Sequence, residues 1–218
     1  ILLDRILGAT IHRPAKGIDA RDVFDQVLTE VDCDGGKAYV VPVGGSNAVG
    51  STAYAEVFLE ILAQCDEQKI DPTRISHATG SLGTQAGLLA GRALAGSPVP
   101  VHAVSVSRPD RTSLLDELLD TANQTAERIG APAVSDADVH VDFRHLGDGY
   151  GLPTGGMISA VELIARTEGI LLDPVYSGKG MAGLISQILN GEISGDEHVV
   201  FLHTGGMPGL FAYSEMFK

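Results

Sequence analysis

The chain switches repeatedly between two hydrophobic periods, and its glycines gather where the pattern changes. Apolar runs at Ala38–Val43, Arg74–Ala78, Val99–Val106 and Val199–Leu202, with alternation at Val139, Val141 and Phe143, read as strands. Between them, apolar residues recur at helical spacing: Val23, Phe24, Val27, Leu28 and Val31; Val57, Phe58, Ile61 and Leu62; Gln85 to Ala95; Leu114 to Ile129; and Ile158 to Ile164, closed by Gly169. Strand and helix in alternation predict an α/β protein, its mostly parallel sheet covered by helices on both faces.

The glycine pairs are expected where strands end: Gly44-Gly45, Gly80 and Gly83, Gly155-Gly156, Gly178 and Gly180, and Gly205-Gly206. Open parallel sheets bind ligands at the carboxyl ends of their strands, so these loops predict a site; the plainer reading is that glycines punctuate turns. At the start, Ile1, Leu2, Leu3, Ile6 and Leu7 open an apolar helical pattern without an initiator Met. The numbered start is therefore expected to lie inside a longer protein. Gly8 caps that helix, and Thr10 to His12 read as a short strand.

Fifteen Lys and Arg against 28 Asp and Glu leave a net charge of −13, which disfavours nucleic acid and anionic membrane partners. No run approaches the ~20 apolar residues of a membrane span and no signal peptide is evident, so a cytoplasmic address is expected. Cys33 and Cys65 lack metal or redox spacing and read as free thiols.

Common motifs fail. Gly178-Lys179 is followed by Gly180 rather than Ser or Thr, which excludes a Walker loop; Gly80 and Gly83, three apart after Thr79, do not make a GxGxxG loop, and Ser81 lacks the flanking glycines of GxSxG. His140, Asp142 and His145 read as a solvated strand face, so no metal site is expected. His77 and His203 read as satisfied structural residues.

One loop retains a chemical reading. Thr79-Gly80-Ser81-Leu82-Gly83-Thr84 leads from a strand end into a helix, where unpaired amides, flexible glycines and three hydroxyls suit a phosphate without any basic residue.

With YVVPVGGSNAVGSTAY (39–54), HATGSLGTQAGLLAG (77–91), YGLPTGG (150–156), ARTEGILLDPVYSGKGMAGLI (165–185) and HTGGMPGLFAY (203–213), the whole chain resembles the D-cysteine desulfhydrase and 1-aminocyclopropane-1-carboxylate deaminase group. These are pyridoxal-phosphate enzymes with the fold of the tryptophan synthase β subunit. The resemblance implies that Thr79, Gly80, Ser81, Leu82, Gly83 and Thr84 cup the cofactor phosphate. It implies that Tyr150 and Tyr176 face cofactor and substrate, that Ser177 meets the pyridine nitrogen, and that Thr204 and Gly205 line the pocket. It further implies a homodimer, with residues 1–47 the remainder of a small domain and 48–218 the large cofactor-binding domain. The family's Schiff-base lysine is expected upstream of Ile1, because Lys16, Lys37, Lys69, Lys179 and Lys218 do not match it; Lys179 belongs to the Tyr-Ser-Gly-Lys loop.

The activity implied is β-elimination with C–S cleavage on a small amino acid, D-cysteine or L-cysteate. The alternatives are cyclopropane ring opening, for which the deaminases carry a carboxylate at the position of Ser177, and a noncatalytic phosphate-binding fragment.

Overall fold

Apolar runs become strands only where a neighbouring backbone completes their hydrogen bonds. In the computed structural model, which describes residues 2–217, four runs meet that condition: β1 (Arg74–Thr79), β2 (Val101–Ser105), β3 (His140–Asp142) and β4 (Val199–Leu202). They form one parallel sheet in the order β3-β2-β1-β4. The chain divides into two compact units, Ile1–Val41 and Pro42–Lys218, and the sheet belongs to the second.

In the first unit α1 (Leu2–Ile6) ends at Gly8, which takes the expected left-handed conformation at φ 84°. Helix α2 (Ala20–Cys33) starts at Asp19, whose carboxylate accepts the Arg21 N–H. Its apolar stripe is the predicted one, yet none of its residues is buried. Two expectations are overturned here. Neither Thr10–His12 nor Ala38–Val43 forms a strand; no strand among the described residues pairs with either, and Tyr39 is 78% exposed. Val43 instead begins a short 3₁₀ turn through Gly45.

In the second unit the sheet is covered on both faces. Ile75 of β1 and Val101 of β2 pack with Phe58 of α3 (Ala48–Gln68), Leu88 and Leu89 of α4 (Gly83–Ala95), and Leu118 and Ala122 of α5 (Leu115–Ile129). On the other face α7 (Ser177–Leu189) crosses β1 and β2, with Gly180 seated against Ala78 and Gly183 against Val104. Helix α6 (Gly155–Glu168) lies over α7, and its Met157 and Val161 form a second small core with Leu172. Burying this many Leu, Ile, Phe and Met side chains, at ~1.5–3 kcal/mol each, is the main stabilising contribution.

Helix α7 corrects two further expectations. Gly178 and Gly180 lie inside it rather than after a strand, and Ser177 to Lys179 are its first turn rather than a loop. Gly155-Gly156 likewise open α6. In α7, Gly180 and Gly183 serve close packing of helix on sheet.

Helix α4 carries Gly83, Gly87 and Gly91 at four-residue spacing, one face of a helix. A Cβ on Gly91 would stand 2.6 Å from the Ala55 carbonyl oxygen, and one on Gly87 closer still to that of Ser51. The α3 and α4 backbones therefore touch directly. That contact brings the chain just before α3, which Asn47 caps by accepting the Gly50 N–H at 2.9 Å, over the start of α4.

Candidate active site

Strand β1 has β2 on one side and β4 on the other, so chain order reverses beside β1. Ligand crevices of open α/β sheets form at such a reversal, beyond the carboxyl ends of the strands. A cleft of about 240 Å³ opens there, between the end of β1 (Ala78–Leu82, Thr84), the end of β4 (Thr204–Gly206), Tyr176, Tyr54 and Gly44. Among the described residues a larger hollow, about 640 Å³, lies along edge strand β3 and the first residues of β1 and β2, against Arg74, His102, His140 and Arg144. Its arginines are already committed, Arg144 to Asp142 and Glu192, Arg74 to Glu197, and Arg111 to Asp136.

The Thr79–Thr84 loop stands at the start of α4. The helix's first internal bond runs from the Ala86 N–H to the Leu82 carbonyl at 2.9 Å, so the amides of Ser81 to Gln85 precede it. Leu82, fully buried, takes a left-handed conformation at φ 71°, a strained state for a branched side chain. The strain turns the backbone sharply from β1 into α4. Ser46 donates to Ser81 Oγ at 2.7 Å and accepts the Gly83 N–H at 3.3 Å, closing one side of the loop. Thr79 Oγ1 is buried without a protein partner at the floor. An anion at this helix start meets partial positive charge and hydroxyl donors, with no Lys or Arg among the cleft-lining residues.

Tyr176 forms the opposite wall, so close to Gly80 that a Cβ there would lie 2.9 Å from its Cε1. Its hydroxyl is 2.5 Å from that of Tyr150, and the rings meet edge to face with centroids 5.9 Å apart. Burial, then the hydrogen bond with Tyr150 and the negative charge of Asp173, push the Tyr176 phenol well above its ordinary value. Tyr176 keeps its proton at neutral pH.

Asp173 organises this wall. Its carboxylate accepts N–H bonds from Val175, Tyr176 and Ser177 at 2.8–2.9 Å, and the Ser177 hydroxyl at 2.7 Å. Ser177 Oγ also accepts the Asp173 N–H. The hydroxyl hydrogen of Ser177 thus points at Asp173, and Ser177 is absent from the cleft lining. His203, bonded through Nε2 to the Leu171 carbonyl and accepting the Gly205 N–H on Nδ1, fixes the rim at Thr204 and Gly205.

Thr79, Gly80, Ser81, Leu82, Thr84, Tyr176, Thr204 and Gly205 therefore share one cleft; Gly83 stands behind Leu82, and Tyr150 joins through Tyr176. Sequence reasoning missed Ser46, Tyr54 and Asp173, whereas Gly206 belongs to a glycine pair expected at a strand end. Asp173 had a readable signal, an acid four residues before a Ser at a helix start. His77 is fully buried in mid-strand and His140 stacks on His102 at 4.7 Å. Among the described residues no group of three or more His, Cys, Asp or Glu could hold a metal ion, and no helix is long and apolar enough to cross a membrane.

Residues 1–205 match the family model described as pyridoxal-phosphate dependent enzyme. The chain belongs to that family. Its members use pyridoxal phosphate, and the residues present fit the phosphate of such a cofactor: a helix start free of internal bonds, a buried unpartnered Thr79 hydroxyl, and glycines where any Cβ would collide. The chain is 40% identical over 191 residues to a D-cysteine desulfhydrase of Klebsiella pneumoniae (strain 342), covering 87% of this chain and 57% of the relative. The crystal structure of an ACC deaminase homologue superposes with a TM-score of 0.85 at 29% identity, over 99% of this chain and 64% of that one. Cysteine synthase from Entamoeba histolytica, at 12% identity and a TM-score of 0.58 over 99% of this chain and 60% of that one, shares the fold. This chain spans between half and two thirds of the length of these relatives.

Proposed function

We propose that this family member is a lyase that cleaves the C–S bond of a small amino acid, D-cysteine or L-cysteate, by β-elimination. The products are pyruvate, ammonia and sulfide or sulfite. The observation that carries the reading is the tyrosine pair standing across a 240 Å³ cleft from a helix-start anion cup.

When bound, pyridoxal phosphate supplies the electron sink that lets an α-proton leave. The chain's own residues do the rest. Thr79, Gly80, Ser81, Leu82, Gly83 and Thr84 hold the phosphate through amides and hydroxyls. Tyr176 Oη, protonated and bonded to Tyr150 Oη, holds a proton at the mouth of the cleft and is placed to donate to a departing sulfur. Thr204 and Gly205 close the rim. Ser177, expected from the resemblance to meet the pyridine nitrogen, has its hydroxyl bonded to Asp173 outside the cleft lining, so the preference for a sulfur leaving group over ring opening rests instead on the likeness to a D-cysteine desulfhydrase. Residues 1–47 belong, in this reading, to the small domain of a homodimer and 48–218 to the large domain.

Assaying the full-length protein side by side for keto acid and ammonia from D-cysteine, L-cysteate and 1-aminocyclopropane-1-carboxylate tests the proposal. Faster turnover of either sulfur substrate supports it; faster turnover of the cyclopropane acid replaces it with the deaminase, and phosphate binding without turnover replaces it with a binding role.

A further inference from the structure

Lys179 has no exposed surface, yet no carboxylate among the described residues forms an ion pair with it. Its Nζ instead donates to two main-chain carbonyls, Leu146 O at 2.6 Å and Gly149 O at 3.0 Å. Burying an amine this way is costly, and burial lowers its proton affinity while Asp148 partly offsets the effect. Such a cost calls for a structural return.

Both carbonyls belong to the segment that carries Tyr150. That segment has one turn bond of its own, from the Leu152 N–H to the Gly149 carbonyl at 3.2 Å; otherwise it contains Gly147 and Gly151 at φ 70° and 73° and lies outside every helix and strand. Its other anchors come from elsewhere. Gly151 O accepts from Tyr213 Oη at 2.8 Å, and the Lys179 ammonium holds the two carbonyls just before Tyr150. Lys179 also sits one turn into α7, whose N-terminal boundary is Tyr176. One helix start therefore carries Tyr176 directly and reaches the Tyr150 segment through the Lys179 side chain.

We propose that Lys179 is a positioning residue that sets the Tyr150–Tyr176 contact by clamping the 146–149 backbone to the first turn of α7. The inference rests on the reading that the tyrosine pair serves the elimination, and it adds a residue that touches neither substrate nor cofactor.

The test uses the full-length protein with bound cofactor, comparing wild type, Lys179→Met, Tyr150→Phe and the double variant. Amide hydrogen exchange over 146–152 is expected to quicken about tenfold or more in Lys179→Met, while 83–91 is unchanged. Turnover by Lys179→Met is expected to fall about a hundredfold, and the double variant to be no slower than Tyr150→Phe alone. Unchanged exchange over 146–152, or losses that multiply in the double variant, overturn the proposal. If wild type turns over none of the substrates, the functional reading fails and the exchange comparison alone decides the clamp. Lys179→Gln, which keeps one donor group, is read in the same way should the Met variant not fold.

Discussion

Ser46 donates to Ser81 Oγ at 2.7 Å across 35 residues of sequence, and Ser46 Oγ in turn accepts the Gly83 amide. One hydroxyl thus pins the approach to α3 onto the turn that starts α4.

Removing that hydroxyl should loosen the anion cup. We expect Ser46→Ala to weaken pyridoxal-phosphate binding about fivefold, the worth of one ordinary hydrogen bond near 1 kcal/mol. Fluorescence titration of the cofactor-free protein measures it, and unchanged affinity would show that Ser46 only packs.

Thr79 makes the opposite trade. Its buried Oγ1 has no protein partner, so Thr79→Val should stabilise the cofactor-free protein by about 1 kcal/mol while weakening cofactor binding. Chemical denaturation paired with the same titration checks both signs; tighter cofactor binding in the variant would remove Thr79 from the cup.

The tyrosine pair predicts a split in kinetics. Tyr176→Phe in the full-length protein should lower kcat about a hundredfold with little change in KM, because a proton donor acts in the transition state. Tyr150→Phe removes a hydrogen bond that raises the Tyr176 phenol, so the Tyr176 pKa should fall. Ultraviolet titration of that variant against wild type reads the change; no downward shift would separate the two hydroxyls.

Acid stability should depend on buried histidines. Burial lowers His77 and His102 to about 4 from an ordinary 6.5. A histidine kept neutral in the fold contributes stability above its unfolded pKa and loses it as pH falls from 6.5 through 4. For His77 alone the loss between about pH 7.5 and about pH 5 is about 2 kcal/mol. Denaturant unfolding at the two pH values should show it, with a smaller difference in His77→Gln; equal pH dependence in the variant would assign the effect elsewhere.

These sites differ in how openly the sequence displays them. All four sheet strands and the helices on the β1–β2 face were legible because alternation and 3.6-residue stripes report burial directly. Helix α7 was not: its first seven residues include Gly178, Gly180 and Gly183 and lack an apolar stripe, since its contact face meets the sheet through missing side chains. Ala38–Val43 looks like a strand because β-branched residues favour one, but a strand also requires a partner that composition cannot supply. The Thr79–Thr84 cup could be read locally, whereas Ser46 could not, because its role depends on how α3 crosses α4.

That crossing makes anion affinity a mechanical quantity as well as a chemical one. The gap between Ser46 and Ser81 is set by how closely two helix axes approach, and Gly87 and Gly91 set that approach without meeting any ligand. A single methyl at Gly87 would act as a shim, tilting α3 away and stretching the serine bond from a distance. Gly87→Ala should therefore loosen the cofactor as well as destabilise the fold, and tuning this cleft by design means adjusting interhelical spacing before altering any residue that lines it.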